Sequence, residues 1–206
     1  MARNRSPKGK IVRRFGMNIF GNPKYDNLLK KKPYGPGKNT IRRKKQSVYG
    51  IQLNEKQKLK YMYGVLERQF RKYFDIANRQ KGITGENLIK ILESRLDNVV
   101  YRMRFATTRS QARQLVLHRH IEVNGKLVNI PSYRLKEGDV ISVKEKSKKL
   151  KIVLESLKMV SSHGVMPWMD VDVDNASGEF KQLPRRNEIT DLSEINEQLV
   201  VELYSK

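Results

Sequence analysis

Charge is spread so unevenly along these 206 residues that a self-contained folding unit cannot account for it. Residues 1–45 hold 15 Lys and Arg against one acid, Asp26. Residues 164–206 hold four Lys and Arg and nine acids, a local balance of −5, while residues 1–163 carry +27 of the net +22. Like charges repel in a compact state, so the excess points to a polyanionic partner, nucleic acid or anionic membrane, on one part of the chain only. Hydrophobic residues make up 38% of the chain, below the usual globular share, so part of it has no core of its own. No apolar run reaches the length of a membrane span. The start Met1-Ala2-Arg3-Asn4-Arg5 is not followed by the apolar stretch of a secretory signal, and apolar residues are too sparse there for a transit peptide. With no cysteine, disulfides, thiolate metal sites and cysteine nucleophiles are all excluded. The expected setting is the cytoplasm.

Residues 1–46 mix cations with Gly, Pro and Asn, as in Asn22-Pro23 and Gly35-Pro36-Gly37-Lys38, and are predicted to form an extended basic arm ordered on its partner. Residues 54–79 read as one helix from an Asn54 cap, with Leu59, Met62, Tyr63, Leu66, Phe70, Tyr73, Phe74 and Ala77 as its core stripe and Arg68, Arg71 and Lys72 opposite. A second helix runs from Thr84-Gly85 to about Phe105 through Leu88, Ile89, Leu92, Leu96, Val99, Val100 and Met103, with Arg95 and Arg102 aligned beside the stripe. Thr108 and Gln111 have capping-box spacing and open a short helix that buries Ala112, Leu115 and Val116. Asn124-Gly125 between Ile121 and Val128 predicts a tight hairpin, because both turn positions need positive φ. Residues 135–143 supply a turn and a third strand, and 149–160 a helix. Alternating Val and Asp over 169–180 suggest another hairpin, and a helix or strand closes the chain from Ser193.

Catalytic and ligand motifs fail at defined positions. Gly37-Lys38-Asn39-Thr40 lacks the hydroxyl directly after the lysine and the earlier glycine of a phosphate loop. Asp170, Asp172 and Asp174 imitate a calcium loop, but Asn175 and Lys181 stand where Gly and Glu are needed. His118 and His120, two residues apart, share no helix face and have no third ligand nearby. No serine lies in a nucleophile elbow. The expectation is no enzyme, no metal and no cofactor.

The chemistry concentrates between Arg95 and Val143. From Thr107 to Ile121 there is no acid, whereas Arg109, Arg113 and Arg119 are all present, and solvated helices usually mix signs. Arg109 falls in the first turn of the short helix, where unpaired N–H groups already favour phosphate. Gln114 and His118 lie opposite its apolar stripe; Arg119 and His120 follow its end, and Lys126 flanks the hairpin turn. Arginine forks bind phosphate oxygens, while Gln and His reach base edges or 2′-hydroxyls.

Arg95-Leu96-Asp97-Asn98-Val99-Val100-Tyr101-Arg102-Met103, Ala112-Arg113-Gln114-Leu115-Val116 and Val123-Asn124-Gly125 resemble the S-four RNA-binding domain. That module also occurs in pseudouridine synthases, tyrosyl-tRNA synthetases and a heat-shock RNA-binding protein. The flanks, Tyr63-Gly64-Val65-Leu66-Glu67-Arg68-Gln69-Phe70-Arg71, Thr84-Gly85-Glu86-Asn87-Leu88 and Ile195-Asn196-Glu197-Gln198-Leu199-Val200-Val201-Glu202-Leu203-Tyr204, are similar to the S-four family of small-subunit ribosomal proteins. The resemblance implies an α+β protein: an extended basic N-terminal arm (1–46), a mainly helical domain (47–94), an inserted S-four-type module of helices plus a small antiparallel sheet (95–160), and a hairpin with an acidic return to the helical domain (161–206). It implies a structural protein that binds the five-prime domain of small-subunit ribosomal RNA early in assembly, lies beside ribosomal protein S-five and near messenger RNA where it enters the subunit, and influences translational accuracy. The RNA-binding residues so expected are Arg3, Arg5, Lys8, Arg13, Arg14, Arg43, Lys44, Arg68, Arg71, Lys72, Arg95, Arg102, Arg109, Arg113, Gln114, His118, Arg119, His120 and Lys126. Glu194, Glu197 and Glu202 are expected at a protein partner. Some family members bind zinc through cysteines in the arm, which this chain lacks. An RNA-modifying or RNA-charging enzyme carrying the module needs a catalytic domain, yet fewer than 65 residues follow it. A membrane-surface protein needs exposed apolar residues on a basic helix, and here those residues form core stripes.

If the arm's cations pair with phosphates, RNA affinity falls linearly with salt on a log–log plot, with roughly 0.7–0.9 of slope for each phosphate neutralised. Deleting residues 2–45 flattens that slope; an unchanged slope in filter binding identifies the arm as an idle tail.

Overall fold

The computed structural model describes residues 4–37, 47–158, 160 and 164–205, so Arg3, Arg43 and Lys44 lie outside the described residues. Two compact units emerge: Met1–Asn87 with Ile189–Lys206, and Leu88–Glu188. Among the described residues are nine α-helices and one five-stranded antiparallel sheet, an α+β architecture. No helix among them is long and apolar enough to cross a membrane.

In the first unit the basic N-terminal region, expected as an extended arm over 1–46, instead contains two short helices. Helix α1 (Lys8–Phe15) buries Ile11 and Val12 and stops at Gly16, whose φ of 70° suits glycine. Helix α2 (Pro23–Lys31) starts at Asn22, whose side chain accepts from the Lys24 N–H, with Pro23 in the first turn. Helices of eight or nine residues are marginal alone and depend on packing, here including Phe15 against Tyr61 at 6.1 Å.

The single helix expected over 54–79 is two. Helix α3 (Val48–Met62) begins at Ser47, whose hydroxyl accepts from the Gly50 N–H at 3.1 Å. It ends where Gly64 turns left-handed (φ 63°), with Val65 N–H donating to the Lys60 carbonyl at 3.0 Å and Gly64 N–H to Tyr61 at 3.2 Å. Helix α4 (Glu67–Arg79) then buries Phe70, Tyr73, Phe74 and Ala77. The apolar spacing runs on through the turn, because Tyr63 and Val65 are buried as well, and this conceals the break from a periodicity reading. Each buried aromatic contributes about 1.5–3 kcal/mol. Asn87, in helix α5 (Thr84–Glu93), donates to the carbonyls of Ala77, Gln80 and Lys81 at 3.2–3.4 Å and so closes the end of α4.

The closing element, expected as a helix or a strand, is helix α9 (Glu197–Tyr204), packed on α3. Its hold is polar as well as apolar. Gln52 Nε2 donates to Glu202 Oε2 at 2.8 Å, Asn196 N–H to Glu55 Oε2 at 3.2 Å, and Tyr204 Oη to Glu67 Oε1 at 2.9 Å. Lys56 Nζ lies 2.6 Å from Glu67 and 5.5 Å from the Tyr204 ring centroid, and that ring packs on Phe74 at 4.6 Å.

The second unit holds the sheet, in the order β2-β1-β3-β5-β4, from strands β1 (Ile121–Val123), β2 (Lys126–Leu127), β3 (Asp139–Val143), β4 (Met169–Asp172) and β5 (Ser177–Phe180). The 169–180 hairpin therefore extends the same sheet: Ile141 pairs with Gly178 and Asp139 with Phe180. The inner face carries Ile121, Val123, Ile141, Val143, Met169 and Phe180, all buried. The outer face carries Glu122, Leu127, Val140, Ser142, Glu179, Asp170 and Asp172, which follows from the two-residue alternation. A β-carbon on Gly178 would lie 3.1 Å from Met103 Sδ and 2.5 Å from the Asp170 carbonyl oxygen, so only glycine lets Met103 seat on this strand. Helix α6 (Leu96–Arg102), helix α7 (Arg109–Leu117) and helix α8 (Lys151–Leu157) complete the unit with the fully buried Trp168.

The hydrogen bonds around Glu67 make acid stability testable. Burial opposes its ionisation, but the bonds from Lys56, Lys60 and Tyr204 outweigh it and hold the carboxyl down to about 2 from an ordinary 4.5. A depressed folded value stabilises the protein above pH 4.5, and this contribution is lost as the pH falls towards 2. Glu67→Gln should cost about 1 kcal/mol at pH 7, a value reduced by solvent screening, and the gap to wild type should close between pH 4.5 and 2 in urea titrations. A pH-independent gap would show that packing, not charge, is what the substitution removes.

Candidate nucleic-acid interface

The helix expected to run from Thr84 to Phe105 breaks at Ser94–Arg95, and the break builds the site. The first N–H groups of α6 find no side-chain cap; Leu96 N–H donates to the Tyr133 carbonyl at 2.8 Å and Asp97 N–H to Pro131 at 3.1 Å. Leu135 N–H donates back to the Ser94 carbonyl at 2.9 Å. A distant loop thus supplies the partners that continuing the helix would have supplied.

The break turns Arg95 and Arg102 inwards. They are 2% and 3% exposed, and so lie within the unit rather than along an outer edge of the helix. Arg95 Nε donates to Asp97 Oδ1 at 3.0 Å. Arg102 Nη2 and Nε donate to the fully buried Glu93 at 2.8 and 3.2 Å. Buried charges are tolerated only when paired and hydrogen-bonded, and both conditions are met.

From this buried layer two further arginines are held. Asn98 Nδ2 donates to Glu93 Oε2 at 2.7 Å, which leaves its Oδ1 to accept from Arg109 Nε at 2.9 Å, and the Arg109 guanidinium lies over the Tyr101 ring at 4.5 Å. Asp97 Oδ2 also accepts from Arg113 Nη1 at 3.1 Å. Thr108 caps α7 by accepting from the Gln111 N–H, and the Gln111 side chain accepts in turn from Thr107. Gln114, His118 and Arg119 are exposed on and beyond α7. His120 is half-buried with Nδ1 2.8 Å from Ser147 Oγ; burial, then the charges of His118 and Lys144, hold its imidazole below the usual value. Lys126 follows the hairpin turn, where Asn124 (φ 50°) and Gly125 (φ 74°) are both left-handed. The Asn124 side chain pins that turn, accepting from Val140 N–H at 2.9 Å and donating to Asp139 at 2.8 Å.

In the other unit, Arg68, Arg71 and Lys72 are exposed on α4, and Arg5 and Arg14 are exposed in the N-terminal region. Arg13 instead donates to the carbonyls of Tyr34 and Gly35 at 3.0 and 2.9 Å and stacks on Tyr34. Lys8 lies 5.1 Å from the Phe20 ring centroid, and its burial lowers the pKa of its ammonium. Glu202 holds Gln52, the stem of Glu197 covers Gly85, and Glu194 is exposed. Asp97 and Asn98, absent from the expected site, are the residues that position it; their sequence signal is their place in the Arg95–Met103 block that carries the family resemblance. Among the described residues no group of three His, Cys, Asp or Glu is placed to hold a metal ion.

Asp97 is placed to serve both fold and face. Asp97→Asn leaves the buried Arg95 without its carboxylate and should destabilise by about 3–5 kcal/mol, whereas replacing the pair together, Arg95→Met with Asp97→Leu, should cost much less. Urea unfolding of the two variants checks this, and equal losses would mean the pair acts through packing alone.

Residues 3–93 match the ribosomal protein S4/S9 N-terminal domain and residues 94–141 the S4 domain. Over their full lengths, the chain is 56% identical to small ribosomal subunit protein uS4 of Christiangramia forsetii across 208 aligned residues. It is 54% identical to that of Porphyromonas gingivalis and 53% to that of Parabacteroides distasonis, each across 207 aligned residues and the whole of both chains. A module that presets arginines on an acid-free stretch, joined to the helical domain those relatives share, places this chain in the uS4 family of small ribosomal subunit proteins.

Proposed function

We propose that this protein is a non-enzymatic, structural constituent of the small ribosomal subunit whose second unit grips structured ribosomal RNA. The observation that carries the reading is the pair of buried anchors. Glu93–Asn98 and Asp97 hold Arg109 and Arg113 in fixed poses beside Gln114, His118 and Arg119, on a stretch with no acid. Presetting an arginine reduces the side-chain entropy lost on binding, and its fork matches phosphate oxygens. Arg95 and Arg102 act beneath this surface as positioning residues. Arg5, Arg14, Arg68, Arg71, Lys72 and Lys126 add exposed positive charge, and Lys8 and Arg13 order the N-terminal region. Arg3, Arg43 and Lys44, outside the described residues, add positive charge to the same end of the sequence.

The finer reading rests on the family resemblance: binding to the five-prime domain of the RNA, nucleation of subunit assembly, and influence on accuracy through ribosomal protein S-five, near messenger RNA. The charge map supports a protein neighbour at the C-terminal segment, since acids would be repelled by phosphates. Of the three acids there, Glu194 gives the cleanest test because Glu202 already secures α3. Glu194→Lys should leave binding to naked RNA unweakened and change stop-codon readthrough; normal readthrough would remove the partner assignment.

Arg113→Ala should weaken binding to naked small-subunit ribosomal RNA by about 1–3 kcal/mol. Lys181→Ala removes the same charge from the acidic hairpin, where Lys181 pairs with Asp170 at 3.0 Å, and should do little. Filter binding, with folding checked by circular dichroism, compares them; equal losses would favour diffuse electrostatics over the site. Recovery of the wild-type protein only as a free species in a high-salt gradient of small subunits would overturn the function itself.

A further inference from the structure

Helices α6 and α7 end in the same way, and in a way that disfavours the residue found there. After α6, Arg104 N–H donates to the Tyr101 carbonyl and Phe105 N–H to Val100, both at 3.1 Å. After α7, Arg119 N–H donates to Val116 at 3.0 Å and His120 N–H to Leu115 at 3.1 Å. Both closures require a left-handed residue just past the cap, and Arg104 and Arg119 adopt φ of 62° and 61°. An L side chain at such an angle crowds its own carbonyl, which is why glycine dominates there. Elsewhere this chain follows the rule: α1 and α3 close on Gly16 and Gly64 at φ of 70° and 63°. Among the described residues, only the two helices of the arginine face close on arginine.

The strain has no internal return. Among the described residues neither the Arg104 nor the Arg119 guanidinium has a hydrogen bond, an ion pair or an aromatic ring. Attraction of a cation to the last carbonyls of a helix does not explain the choice, since it is available at unstrained positions of the last turn, as at Arg102 in α6. Between Asp97 and Glu122 the sequence has no acid, so nothing nearby in the chain neutralises either residue. Arg119 already belongs to the proposed face; Arg104 does not.

We infer that Arg104 is a further phosphate-binding residue of this face, presented from the strained left-handed closure of α6 as Arg119 is from that of α7. The inference rests on the RNA-binding reading above. Its ligand is the phosphate backbone of structured RNA, since a guanidinium offers donors only and forks onto phosphate oxygens.

Strain and contact make opposite predictions for one substitution, which isolates the inference. In the full-length chain, Arg104→Gly should raise the thermal midpoint by relieving the backbone. The same change should weaken binding to naked small-subunit ribosomal RNA about three- to tenfold and lower the log–log salt slope by roughly 0.7–0.9, one phosphate's worth. Arg104→Lys, which keeps both the charge and the strained backbone, should retain the wild-type slope and midpoint. A higher midpoint with unchanged affinity, while Arg113→Ala still loses affinity, would overturn the role of Arg104 and leave the RNA face standing. A lower midpoint would mean that Arg104 supports the fold, which overturns it too. No loss in either Arg104→Gly or Arg113→Ala would remove the RNA face as a whole.

Discussion

Two buried carboxylates, Glu93 at no measurable exposure and Asp97 at 4%, are the constraint on which the second unit turns. Removing a carboxylate from water costs several kcal/mol unless cations and hydrogen bonds replace the lost hydration. Arg102 and Asn98 do so for Glu93, and Arg95 with Arg113 for Asp97. These four partners can converge only because the chain breaks between α5 and α6, and the break holds because the loop at 131–135 satisfies the exposed backbone. Secondary structure, core charge and surface chemistry are therefore one arrangement.

That arrangement reconciles a strongly basic surface with a stable fold. Arginines that merely repelled each other would destabilise the unit and swing freely. Here the inner pair neutralises the acids while the outer pair borrows orientation from them, Arg113 directly from Asp97 and Arg109 through Asn98, which donates to Glu93. The first unit handles its excess differently. Arg13 is absorbed by backbone carbonyls and an aromatic ring, and Lys56 and Lys60 by Glu67, beneath the helix that closes the chain.

The acids separate into two kinds by environment. Glu93, Asp97, Glu55 and Glu67 are structural, each bound to named donors within its own unit. Glu122, Glu179, Asp170 and Asp172 sit on the outer face of the sheet. A net charge count cannot tell these classes apart, although the second, on the outer face of the sheet, bears more on the long-range field outside the protein.

Local chemistry made much of this legible in the sequence. The Asn124-Gly125 turn, the Thr108 cap, the Val–Asp alternation of the 169–180 hairpin and the acid-free stretch around Arg109 and Arg113 are all set by neighbours within a few residues, so the pattern alone determines them. The breaks at Gly64 and Ser94 were not legible, because buried residues continue the helical spacing through both turns. The burial of Arg95 and Arg102 was hidden for a related reason: it depends on where the chain turns, and that turn is stabilised by carbonyls some 35 residues downstream. The addition of the acidic hairpin to the edge of β3, and the closing of α9 onto α3, likewise depend on pairings far apart in the chain. Sequence determined the class of ligand, since charge and residue type are written locally. Tertiary structure decided which arginines are buried and which are left at the surface, because a buried carboxylate claims whichever guanidinium the fold brings within hydrogen-bond reach.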